Sequence, residues 1–154
     1  MLSKVGGRSH KVVAYKEGDK ATVNYMDAAI AVPLSDDLVS EEILMIGLPN
    51  GTAEAELNMR VKKFGRTSLF NLGKVVGLNA AARVSYGGDR VAYFDGQIIT
   101  THMADPGDSG SLVLTEQTGS PDDNRVVGLL FAGSDTATIV SPIGYIMDAL
   151  GVVF

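Results

Sequence analysis

The sequence predicts an all-β fold, a barrel or a sandwich, finished by one C-terminal helix. Three observations carry that reading. Short β-type runs bounded by turn residues recur along the chain, eighteen glycines suit tight turns and bulges, and a helical period of apolar residues stands out only at the end.

Taken in order, the first runs are 12–15 (Val-Val-Ala-Tyr), 28–32 (Ala-Ala-Ile-Ala-Val) and 43–46 (Ile-Leu-Met-Ile), each bounded by Gly, Asp, Asn or Pro. Residues 60–64 and 74–78 follow, then 82–86, 90–94, 97–101, 111–115 and 126–132. The polar stretch 114–125 joins two apolar strands and is expected as an exposed loop. At the end, Ser141 is placed as helix N-cap with Pro142 at the first helical position. Ile143, Ile146, Met147 and Leu150 recur on one helical face, and Gly151 stops the helix. No internal repeat or low-complexity tract interrupts the pattern.

Composition narrows the function classes. With 45% apolar and 20% charged residues, the 154-residue chain can bury a core of its own. A net charge of −5 gives no basic field for a phosphate backbone, so nucleic acid is not expected as a partner. No apolar run approaches the roughly 20 residues of a membrane span, and no signal peptide is visible at the start, so no membrane partner is expected and the balance favours the cytoplasm. The absence of cysteine removes disulfides, thiolate metal sites and a cysteine nucleophile, without fixing the compartment. Only His10 and His102 could supply imidazole ligands, and no carboxylates accompany them at a metal-site spacing; neither a metal nor a cofactor is expected.

The stretch "MADPGDSGSLVL", residues 103–114, is where chemistry concentrates. A nucleophilic serine needs donors for the oxyanion that forms on its substrate and a base for its own proton. Gly107 allows a turn that brings the N–H groups of Gly107 and Ser109 to one concavity, and Gly110 leaves room for a substrate backbone. Asp, Pro, Gly and Ser are also the residues of an ordinary turn, and the motif alone leaves both readings open.

The residues Pro106-Gly107-Asp108-Ser109-Gly110-Ser111 before Leu112-Val113 resemble the nucleophile motif of the chymotrypsin-fold, trypsin-like serine peptidases, of the divergent bacterial and plant type. Three further stretches fit the same order. Residues 25–31 resemble the segment in which that family's buried triad Asp precedes a small apolar strand, which makes Asp27 the candidate orienting acid. "VKKFGRTS", 61–68, resembles the opening strand of the second barrel, and "RVVGLLFAGS", 125–134, the strand that pairs with substrate backbone.

The resemblance implies a chymotrypsin-like second six-stranded β-barrel with a C-terminal helix over 58–154. Residues 1–57 would supply the last strands of an incomplete first barrel and the connection. It implies Ser109 as nucleophile, Gly107 and Ser109 as oxyanion donors, and Met103, Phe131, Ala132 and Gly133, with 138–140, around the substrate side chain, none of them an acid. A small or apolar substrate residue is the expectation. Asp108 is expected in a structural turn role.

The base is the departure. The family's catalytic His lies well upstream of the Asp, whereas His10 lacks the expected surroundings and reads as a strand-face or solvated residue. His102 lines the specificity pocket or ends a strand. The chain is therefore expected to be a C-terminal portion whose His lies elsewhere, a natural form without one, or a piece completed by another chain, with little peptidase activity alone. The expected partners are a polypeptide substrate or peptide ligand, with the missing N-terminal part or self-association covering open barrel edges. The rival reading is a non-catalytic module that binds peptides by β-augmentation.

Overall fold

The computed structural model describes residues 12–16 and 22–154 in full, and the backbone of 3–5 and 8–10. Four short strands come first: β1 (Ser3–Val5), β2 (Arg8–His10), β3 (Tyr15–Lys16) and β4 (Val23–Asn24). Six longer ones follow, β5 (Arg60–Gly65), β6 (Leu69–Ser85), β7 (Arg90–Thr101), β8 (Leu112–Thr115), β9 (Val126–Gly133) and β10 (Ala137–Pro142), and then α1 (Ile143–Leu150).

β5 to β10 close on themselves in the order β10-β9-β8-β5-β6-β7, and β10 pairs again with β7. This ring is the expected six-stranded barrel, and the fold is all-β with a C-terminal helix. β3 and β4 add to the outer part of β7, antiparallel and parallel respectively, while β1 and β2 pair only with each other. No helix among the described residues is long and apolar enough to cross a membrane.

Alternation along the strands builds two cores from adjacent residues. Val113 and Val127 point into the barrel with Val61, Val75, Ile98 and Val140. Their neighbours Leu114 and Val126 point outward, where Ile143, Ile146 and Leu150 of α1 cover them. Each helix side chain buried there contributes about 1.5–3 kcal/mol.

Four local expectations are corrected. Residues 74–85 lie within one long strand, β6, and 90–101 within another, β7, because bulges near Gly77 and Ala80 keep pairing continuous past the turn-type residues Gly77 and Asn79. Residues 28–32 form no strand: they have no backbone partner among the described residues. Residues 43–46 form a turn, with Ile43 and Gly47 bonded to each other and Met45 at φ 63°. Finally, Ser141 is not a helix cap. It is the buried end of β10, its hydroxyl donating to Gln97 Oε1 (3.1 Å), so α1 begins after Pro142.

Candidate functional site

The loop that carries Ser109 crosses from β7 to β8 and is held from below by a buried ion pair. Lys63 Nζ lies 2.8 Å from Asp108 Oδ2, and both side chains are 0% exposed. Each group is fully engaged. The Lys63 ammonium also donates to Ser68 Oγ and to the Leu69 carbonyl. Asp108 accepts from the Ser68 hydroxyl and from three backbone N–H groups, Thr67 at 2.7 Å, Ser68 at 3.2 Å and Asp105 at 3.0 Å. Burial by itself would raise the Asp108 pKa, but hydrogen bonds from Lys63, Ser68 and these N–H groups hold it well below the usual carboxylate range. Asp108 thus has the structural role expected of it. Apart from Asp105, its partners lie in the "KKFGRTS" segment, Lys63 in β5 and Thr67 and Ser68 on the β5–β6 turn.

Above this pair the loop is fixed to β9. Gly110 N–H donates to the Leu130 carbonyl (2.8 Å) and Leu130 N–H to the Ser111 carbonyl (3.0 Å). Gly107 at φ 106° and Gly110 at φ 94° take conformations that side chains with a Cβ resist. Ser109 between them is exposed, and its hydroxyl makes one long bond, 3.4 Å, to the Phe131 carbonyl. The N–H groups of Gly107 and Ser109 have no acceptor among the described residues.

Ser109 and Gly107 border two hollows. One, about 190 Å³, is walled by Leu130, Phe131, Ala132 and Gly133, with His102, Asp105 and Asp135 also lining it. The other, about 490 Å³ and open, runs over Gly110 and Ser111 to Phe64 and Ile43. Phe131, Ala132 and Gly133 thus line one hollow with Ser109.

Met103 does not line either hollow. It is 1% exposed in the barrel core, its sulfur against Gly73 and its N–H bonded to Thr138 Oγ1, because the loop leaves β7 with this residue still facing inward. Thr138 and Val140 are fully buried as well.

Asp27 is not brought to Ser109. Its Oδ2 accepts from the Tyr86 hydroxyl near the β6–β7 hairpin, and its N–H donates to Ser141 Oγ at 3.3 Å. Burial, and then the hydrogen bond and charge of Asp27, push the Tyr86 pKa up. His102 Nδ1 lies 2.9 Å from the Ser134 carbonyl, which fixes a proton on that nitrogen, and Nε2 is 3.9 Å from Asp105. His10 lies in β2, with its side chain outside the described residues. Among the described residues no imidazole or carboxylate is within hydrogen-bond distance of Ser109 Oγ, and no group of three His, Cys, Asp or Glu could hold a metal ion.

No family model matches the sequence, and no curated protein matches it. Solved structures do. A Cellulomonas bogoriensis chymotrypsin superposes with TM-score 0.56 at 22% identity, over 72% of this chain and 64% of its own. Thermobifida fusca protease A superposes with TM-score 0.56 at 24% identity, over 68% of this chain and 52% of its own. A glutamic-acid-specific serine protease, described as using a novel histidine triad in substrate binding, covers 96% of this chain and 75% of its own, with TM-score 0.53 and 22% identity. The fold is that of the chymotrypsin-like serine proteases, and the chain spans 64% and 52% of the first two structures it matches.

Proposed function

We propose that this chain is the nucleophile-bearing portion of a serine endopeptidase that lacks its own general base. The observation that carries the reading is an exposed Ser109 whose N–H, with that of Gly107, has no acceptor among the described residues, although the Asp108, Gly110 and Ser111 N–H groups around them are bonded. In the proposed reaction Ser109 Oγ attacks the carbonyl carbon of a peptide bond and forms a C–O bond. The carbonyl π pair moves to oxygen, where the two N–H groups accept the charge; one such donor is worth about 2.7–4 kcal/mol. The serine proton goes to a base from outside this chain. As the intermediate collapses, the same base returns the proton to the nitrogen, the C–N bond breaks, and the departing amine leaves an acyl-enzyme for water to cleave.

The hollow walled by Phe131, Ala132 and Gly133 would take the substrate side chain. Asp27, which the family resemblance makes the orienting acid, is held by Tyr86 and Ser141, and the proposed reaction does not use it. Without a base, only the residual catalysis of oxyanion binding remains, roughly 10³–10⁴-fold over water. The second reading, a non-catalytic peptide-binding module, is favoured by the lack of a base beside Ser109 among the described residues and predicts no acylation at all.

A fluorophosphonate probe tests both. The expected result is slow labelling of the isolated chain that disappears in Ser109→Ala. Rapid stoichiometric labelling would refute the absence of a base, and labelling that persists in Ser109→Ala would refute Ser109 as the nucleophile. No labelling of either protein would favour the binding module.

A further inference from the structure

Between 30 and 48 eight large apolar residues are exposed, and two of them, Val32 at 91% and Leu34 at 98%, touch almost nothing. Single exposed apolar residues are ordinary, but so many in one short segment mark a contact surface. The segment is not a loose tail. At one end Asp27 N–H is bonded to Ser141 and the Tyr25 carbonyl accepts from Gln97. At the other, Asn50 N–H donates to the Asn124 carbonyl, and Asn124 Nδ2 reaches back to the carbonyls of Ile46 and Leu48. Along 28–34 the backbone makes no hydrogen bond to any other described residue, which leaves a row of donors and acceptors open to strand addition.

Charge decides the occupant. Residues 22–59 contain seven carboxylates and no Lys, Arg or His, and Asp36, Asp37, Glu41 and Glu42 stand among the exposed apolar residues. A symmetric contact between two copies would set these carboxylates against one another. Anionic lipid and nucleic acid are repelled for the same reason.

We infer that the face formed by residues 28–48 docks a second, different polypeptide, one that adds a strand of alternating apolar and basic residues along 28–34. Ile43, in the same segment, also lines the open hollow beside Ser109. The inference goes beyond the catalytic reading and does not need acylation to be true.

The test therefore uses the Ser109→Ala chain. The probes are two fluorescent synthetic peptides, one alternating Val and Lys and one alternating Val and Glu, followed by anisotropy and by hydrogen exchange. The Val–Lys peptide is expected to bind saturably, about tenfold or more tighter than Val–Glu, to weaken as salt shortens the Debye length, and to slow exchange at amides 28–34. Val32→Lys with Leu34→Lys abolishes binding while leaving the melting temperature unchanged, because both side chains are solvent-exposed. Absence of saturable binding, equal affinity for the two peptides, protection elsewhere, or binding that survives the double substitution overturns the inference. So does a dimer of the unmodified chain that the double substitution dissolves, which would assign the face to a second copy.

Discussion

Replacing Asp108 by Asn should cost far more stability than replacing Lys63 by Met, although each removes one half of the same ion pair. The asymmetry follows from what each change leaves behind. In Asp108→Asn, an amide oxygen can still accept from Thr67 and Ser68, but the amide NH₂ then faces the Lys63 ammonium and the Asp105 N–H, donors against donors. A cation at 0% exposure keeps only Ser68 Oγ and the Leu69 carbonyl. Breaking a buried pair in this way costs about 3–5 kcal/mol. In Lys63→Met the Asp108 carboxylate keeps the Ser68 hydroxyl and three backbone N–H donors, so the loss is closer to one charge-assisted hydrogen bond, about 2 kcal/mol. The double variant should cost less than the two singles together, with a coupling of about 2 kcal/mol. Urea unfolding followed by circular dichroism reads these differences as shifts in midpoint at constant slope, and Asp108→Asn should lower the melting temperature by roughly 10 °C. A cost below about 1 kcal/mol for Asp108→Asn, or a larger cost for Lys63→Met than for Asp108→Asn, refutes the argument.

Two further outcomes are expected. Asp108 and Asp123 both have folded pKa values below their unfolded ones. For Asp123 burial opposes the shift, and the Gln117 N–H and the Lys62 ammonium, 2.8 Å away, outweigh it. Their stabilisation is complete above the unfolded value of about 3.9 and is lost as pH falls below it, so urea midpoints should be flat in this respect from about pH 5 to 7 and fall towards pH 2. Lys63→Met, which raises the folded pKa of Asp108, should reduce that fall, and an unchanged acid slope in the variant would contradict the assignment. The two glycines of the nucleophile loop should differ: Gly110→Ala meets only an unfavourable φ in open space, about 1 kcal/mol, whereas a Cβ at Gly107 also runs into Thr67 Oγ1. Gly107→Ala should cost at least about 1 kcal/mol more in the same unfolding experiment.

The barrel was legible because its strands alternate with turn residues, and the helix because Ile143, Ile146 and Leu150 share a face. What failed to read locally has identifiable causes. The run 28–32 has strand composition, yet a strand exists only with a partner, and the described residues offer it none. The 43–46 run is apolar but short, and Gly47 closes it into a turn. Met103 stands next to the site in sequence and faces away from it, since a one-residue shift along β-structure exchanges core for surface. The buried pair beneath Ser109 did leave a signal. Lys62 and Lys63 are adjacent in a strand, so they point to opposite faces. In a closed barrel with a helix and loops outside it, at least one of the two has to meet a buried acid. Both pair with an acid, Lys63 with the buried Asp108 and Lys62 with the half-buried Asp123.

That pairing also separates the two requirements of a serine nucleophile. The N–H groups of Gly107 and Ser109 stand on either side of Asp108, and what holds Asp108, apart from the Asp105 N–H of its own loop, comes from the barrel: Lys63 from β5, Thr67 and Ser68 from the β5–β6 turn. Neither Asp27 nor any residue before β5 contributes a bond to this network. The loop is therefore formed whether or not a base is near, and rigid donors set in advance are the part of acyl-transfer catalysis that cannot be assembled during the reaction. The proton acceptor has no such constraint, because it needs only to reach Ser109 Oγ from the open hollow towards Phe64 and Ile43. On the proposed reading, a chain built in this way keeps its oxyanion donors in place while the base is supplied from outside it.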